Sequence, residues 1–279
     1  MIYLVLPSGE EVVMVGSTST GGSKSNFKVW IEEEIKNNNM AHRDDEVMET
    51  VGTGASSVVS NHDHKAYLQY KINEPLNSSG YKVSKGGCGL CSFTSIMYEF
   101  GVDKTPIEWR DWFEAQSPGF MDSAFVKGSG MQWCFPGNAI ATLNKSGIYG
   151  QYKIVESISQ TGAINNNKVI KTLQKYADDP NISIMISAGK GLFTNGGHIM
   201  HIPCVVDKNR PGVHIADSSN IATKKLLGNT ATGEGYWQQV LDYEFYFDGS
   251  DTISVDGNRV TANNNLYNIK CMWVIRKEN

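Results

Sequence analysis

Cys88 and Cys91 are separated by two residues in "GGCGLCSFTSIMYEFG", residues 86–101, with glycines ahead of them and an apolar run behind. Three chemistries use this spacing. A metal knuckle would borrow His198, His201 and Cys204 from "HIMHIPCVVD". That stretch is β-branched and reads as a strand, so 198 and 201 point to opposite faces, and Pro203 argues against the helix that would align them. A redox pair needs CxxC at a helix start, which is present, and a βαβ approach, which "LNSSGYKVSKGG" does not offer. A nucleophile needs a thiol at the positive end of a helix dipole, where thiolate is favoured. Glycines before it would let the chain turn tightly and let a substrate come close. Cys88, just before the helix, is better placed for a cleft than Cys91, which falls inside the first turn and reads as a small buried residue.

A thiolate nucleophile needs a base, an orienting acceptor and an oxyanion donor. His198 opens a strand directly after Gly196 and Gly197, an open position, whereas His201 lies further in and reads as a packed core histidine. Asp217 closes the next strand in "GVHIADSSN", and two adjacent antiparallel strands would bring it beside His198. Its alternative is a plain turn residue at a strand end. Gln69 is the single glutamine upstream of Cys88, so an upstream amide donor would have to be this one. Its alternative is a surface residue on a strand.

These residues need elements to hold them. "SFTSIMYEFGV" predicts a helix that stops at Gly101, "PIEWRDWFEAQ" a second opened by Pro106, "PGNAIATLNKSG" a third and "NNKVIKTLQKYADD" a fourth closed by Pro180. "ISIMISA", "HIMHIPCVVD", "GVHIADS", "YEFYFD" and "KCMWVIRK" then read as strands between Gly, Asn and Asp turns. Helices followed by an antiparallel sheet make an α+β layout. Residues 1–15 read as a hairpin around Pro-Ser-Gly and residues 17–25 as a Ser/Thr/Gly linker. A short amphipathic helix would carry Phe27, Trp30, Ile31 and Ile35 on one stripe. Residues 41–65 read as polar and irregular.

The pieces "YLQYKINEP", "GYKVSKGGCGLCSFTSIMYEFG", "NGGHIMHIPCVVD" and "GVHIADSSN", in that order, resemble the C39-like branch of the papain-like cysteine peptidases. The resemblance covers about residues 64–225. Leu90 and Cys91 stand where that family usually has Pro-Thr, and Ser218 where it has Pro after the acid. The resemblance implies a papain-like fold, with N-terminal helices packed on an antiparallel β-sheet, over residues 63–279. It is silent on residues 1–62, which read from their own pattern as an accessory arm. It also implies roles: Cys88 as nucleophile, His198 as general base and later acid, Asp217 as orienter and Gln69 as oxyanion donor. Such an enzyme cleaves peptide or amide bonds by acyl transfer, with no metal or organic cofactor.

Composition narrows the setting. With 279 residues, 40% of them hydrophobic, the chain can bury one sizeable core. A net charge of -4 without a Lys/Arg run argues against a nucleic-acid partner. Five scattered cysteines do not make a disulfide framework. The N-terminus lacks a basic n-region and reads as no signal peptide, and no apolar run approaches the roughly 20 residues of a membrane span. Synthesis in a cytosol is expected. A hydrolase with these features would suit a phage lysin or tail-associated, virion-borne wall hydrolase acting on peptidoglycan, its arm contacting an assembly partner. The alternative is a catalytically inactive papain-like component of a larger assembly. Trp109, Trp112 and Trp133 could line a substrate groove, with core packing as the plainer expectation for helical Trp.

Overall fold

A computed structural model describes residues 2–5, 11–14, 48–51, 64–177, 179–210, 212–219, 221–226 and 243–278. The chain divides into two compact units, residues 1–44 and 45–279. In the first, β1 (Ile2–Val5) pairs antiparallel with β2 (Glu11–Met14), the hairpin expected from the sequence. The linker and the helix expected around Phe27, Trp30, Ile31 and Ile35 lie outside the described residues.

The second unit corrects one reading at once. β3 (Met48–Val51) pairs antiparallel with β4 (His64–Tyr67), so part of the stretch read as irregular is a strand. A short helix α1 (Val83–Gly86) then leads through Gly87 into α2 (Cys88–Glu99), which begins on Cys88 itself. Almost every residue of α2 is buried, so its hydroxyls need internal partners: Thr94 donates to Leu90 O, Ser95 to Cys91 O and Ser92 to Ile199 O. Gly101, at φ 87°, ends the run as expected.

α3 (Pro106–Gln116) starts on a capping box, in which Thr105 Oγ1 accepts from Glu108 N and Glu108 Oε2 from Thr105 N. α4 (Phe120–Ala124), the hairpin of β5 (Phe125–Val126) and β6 (Gly130–Met131), and α5 (Phe135–Ser146) follow. Phe93 of α2 meets Trp109, Phe113 and Phe135 at centroid distances of 5.5, 5.5 and 5.7 Å. Burying one such ring contributes about 2–3 kcal/mol, so this cluster is what fastens α2 to its neighbours.

The remaining elements are β7 (Gln151–Ser159), α6 (Asn166–Tyr176), β8 (Ile182–Ala188), β9 (His198–Val205), β10 (Gly212–Ala216), α7 (Ile221–Leu226), β11 (Glu244–Phe247), β12 (Ser254–Asp256), β13 (Arg259–Ala262), α8 (Asn264–Tyr267) and β14 (Ile269–Glu278). Their eight strands form one sheet in the order β12-β13-β11-β10-β9-β8-β14-β7, antiparallel except for the β11–β13 pair. The layout is therefore α+β, with N-terminal helices packed on a mostly antiparallel sheet.

Side chains alternate between two cores. Met185, Ile199, Cys271, Trp273 and Ile275 join the aromatic cluster of α2, α3 and α5. Ile184, Ile186, Met200, Ile202, Met272 and Val274 join Val169 and Leu173 of α6 on the other face. Both faces are covered, which is why "ISIMISA" is nearly unbroken in apolar residues. Between β10 and β9, Val213 pairs with Val205 and His214 with Cys204, but Ala216 pairs with His201. β9 thus carries one extra residue between His201 and Cys204, the stretch that holds Pro203, a residue with no N–H for the ladder.

Candidate active site

Cys88 is the first residue of α2, at the positive end of the helix dipole. The glycines around it have a different job from the one the sequence led us to expect. A Cβ on Gly86 would overlap the Tyr81 ring, one on Gly87 would overlap Val83, and one on Gly89 would overlap Met131. They admit the protein's own walls rather than a substrate. Tyr81 and Met131 thereby stand against the turn that carries Cys88, with Tyr81 close enough that, after burial, Cys88 raises its phenol.

His198 Nε2 lies 2.6 Å from Asp217 Oδ1, and both side chains are buried. The same oxygen accepts the Ser219 N–H at 2.7 Å, while Oδ2 has no partner among the described residues. The carboxylate charge is therefore directed at the ring. With Nε2 donating to Asp217, Nδ1 is left for Cys88, whose sulfur is hydrogen-bonded to His198. Burial alone would push the Cys88 thiol up. The hydrogen bond and charge of His198, together with the Ile199 and Gly89 N–H groups, outweigh it and hold the thiol below its ordinary value. Burial alone would push His198 down, but Asp217, and after it Cys88, raise it to about 10. This is the electrostatic pattern of a thiolate–imidazolium pair.

Gln69 begins a 3-10 turn, Gln69–Lys71, directly after β4. Its N–H donates to Ser218 O at 3.1 Å, and its Oε1 accepts from Ser218 Oγ at 3.0 Å. The residue that departs from the expected Pro therefore holds the Gln69 side chain by its carbonyl oxygen, and the NH2 is the group left to donate elsewhere. Of the four sequence-predicted site residues, hydrogen bonds join Cys88 to His198 and His198 to Asp217, while Gln69 is bonded to Ser218, the residue after Asp217, and to none of the other three. Ser218 and Tyr81 were not singled out as contributors: nothing local to Ser218 announces a partner 149 residues away, and nothing in the residue types marks Tyr81 as a neighbour of Cys88.

His201 is a core histidine, as expected, but in a hydrogen-bonded network. Its Nε2 lies 2.9 Å from Glu99 Oε2 and 2.8 Å from Ser183 Oγ, and Ser183 donates to the same Glu99 oxygen at 2.7 Å. β9 pairs regularly with β8 from His198 to Ile202, so 198 and 201 lie on opposite faces. Among the described residues, no three His, Cys, Asp or Glu side chains converge as metal ligands. No helix among the described residues is long and apolar enough to cross a membrane. Of the three tryptophans, Trp109 is buried and Trp112 packs against the aromatic core, whereas Trp133 is half exposed and rests on Trp273 at 4.6 Å. No protein-family model, curated protein or solved structure is found to match the chain.

Proposed function

We propose that the protein is a cysteine hydrolase of papain-like fold, cleaving amide bonds through Cys88, His198 and Asp217. The observation that carries this reading is the buried chain from Asp217 through His198 to the Cys88 sulfur at a helix N-terminus. The Cys88 thiolate attacks an amide carbonyl, forming a C–S bond and an oxyanion. The Cys88 N–H and the Gln69 amide stabilise that oxyanion. The His198 imidazolium gives its proton to the departing amine, and the neutral ring then takes a proton from the water that releases the acid. Asp217 holds the ring in one tautomer and offsets its charge throughout.

The substrate proposed is peptidoglycan, as for a phage or virion-borne wall hydrolase. Trp133, half exposed and close in sequence to Met131, which packs on the Cys88 turn, would offer that polymer a flat aromatic surface. Digestion of purified sacculi tests the reading. Release of new amino termini by the native protein, and none by Cys88→Ala, is expected. No release from sacculi, with Cys88 no more reactive to iodoacetamide than Cys134, would overturn it.

A further inference from the structure

Cys91 has no role in the reaction above, yet it sits one helical turn behind the nucleophile. Its N–H donates to Gly87 O at 2.9 Å, so the first turn of α2 is regular and residues 88 and 91 share a face. Side chains three apart on a helix have Cβ atoms about 5–6 Å apart, and a disulfide asks for roughly 3.5–4.5 Å. Closing that gap asks for a shift of roughly 1–2 Å between the two side chains. The two thiols are also electrostatically in contact. Burial first, and then the Cys88 charge, push the Cys91 thiol well above its ordinary value.

The pair is asymmetric in the way a sensing and a resolving thiol must be. Cys88 is 9% exposed and Cys91 is 0% exposed. Cys88 meets a solute first, and Cys91 stays protonated and inert until the neighbouring sulfur becomes electrophilic. Cys134 is exposed at the start of α5, and Cys271 belongs to β14; neither shares the helix.

We propose that hydrogen peroxide converts Cys88 and Cys91 into a reversible disulfide, which switches the nucleophile off and protects it from irreversible oxidation. In the first step the Cys88 sulfur attacks one peroxide oxygen. An S–O bond forms, the O–O bond breaks, and the departing hydroxide takes up a proton to become water. The sulfur is oxidised by two electrons and the peroxide is reduced by two. In the second step the Cys91 sulfur attacks the Cys88 sulfur. The S–S bond forms, the S–O bond breaks, and the leaving hydroxide takes the Cys91 proton as water. An external dithiol such as dithiothreitol returns both thiols and is itself oxidised to its disulfide. The inference rests on Cys88 being a thiolate and not on which amide the enzyme cuts.

The test treats the folded protein with a small excess of hydrogen peroxide and blocks free thiols with N-ethylmaleimide. Residues 86–104, which follow Lys85 and end on Lys104, are then mapped by mass spectrometry. The expected peptide has lost two hydrogens and carries no blocked thiol, and dithiothreitol restores iodoacetamide labelling of Cys88 in full. In Cys91→Ala, Cys88 advances to the sulfinic acid, and recovery falls at least roughly tenfold. Native Cys88 found as sulfinic acid beside an N-ethylmaleimide-blocked Cys91 would overturn the inference and leave the hydrolase reading standing. Cys88 inert to both peroxide and iodoacetamide would overturn both. The native peptide decides the matter even if the variant does not fold.

Discussion

Replacing Asp217 with Asn keeps the shape of the acid and removes its charge from the ring. His198 rests at about 10, against an ordinary value of 6.5, and Asp217 comes ahead of Cys88 among the groups that raise it. Assigning roughly half of that logarithmic difference to the carboxylate gives about 2 kcal/mol, or a loss of roughly 30- to 100-fold in the ring's hold on the thiolate. At pH 6 an unassisted thiol with the ordinary value of 9.0 is only about one part in a thousand ionised. The variant should move Cys88 most of the way toward that baseline. The assay is the rate of iodoacetamide labelling at pH 6, read by mass spectrometry, with exposed Cys134 as internal reference. Native Cys88 should outpace Cys134 clearly, and Asp217→Asn should cut the Cys88 rate roughly 30- to 100-fold while leaving Cys134 alone. The pH profile adds a sign. The imidazolium is lost as pH rises through its own pKa, so the alkaline limb of hydrolysis should move down from about 10 toward neutrality. An unchanged Cys88 rate would refute the claim that the Asp217 charge reaches the thiol through His198.

Gln69→Ala should lower kcat on sacculi roughly 100-fold by removing one oxyanion donor, with Cys88 labelling unchanged; a matching fall in labelling would mean that Gln69 acts on the thiol instead. Glu99→Ala leaves buried His201 without its acid and should cost about 3 kcal/mol, lowering Tm by roughly 6–12 °C; a Tm within a degree of native would show that the network carries no stability. Gly89→Ala must displace Met131 and should destabilise by about 1–3 kcal/mol in urea unfolding. Trp133→Ala should raise KM on sacculi several-fold at constant kcat, and a fall in kcat alone would place the ring at the reacting centre.

Elements whose burial matches their period were legible from the residues. The helices from Cys88, Pro106, Phe135 and Asn166 and the strands from Ile182, His198, Gly212, Glu244 and Ile269 lie where the patterning and turn residues put them. β7 was not foreseen, because it is an edge strand. Only Tyr152 and Ile158 of "QYKIVESIS" are buried, and the intervening Lys153 and Glu156 blur the alternation. The hairpin of β5 and β6 was too short to register as strands, although Gly128 and Gly130 mark its turn with φ of 86° and 70°. Within the candidate site, residue types and chain order picked out Cys88, His198 and Asp217, which hydrogen bonds join, and Gln69, whose side chain is bonded to Ser218 beside Asp217. The supporting bonds were not legible, since Gln69 and Ser218 are 149 residues apart and Glu99 and His201 are 102 apart. A buried glutamate at the end of a helix looks like any surface glutamate until the strand that receives it is known.

The extra residue in β9 bears on how a fold of this kind gains or loses a reactive centre. Along β9, His198 is in step with Met200 and out of step with His201. Counted on in the register of Val213 with Val205, Asp217 would fall level with His201. Counted on in the register of Ala216 with His201, it would fall level with Met200, in step with His198. The contact between Asp217 and His198 is thus matched to a strand counted out with one unit to spare. A chain shortened by one residue there would keep both side chains and would put the carboxylate out of step with the imidazole. In this architecture the parity of a strand's length is inherited information, as consequential as the identity of the residues it carries.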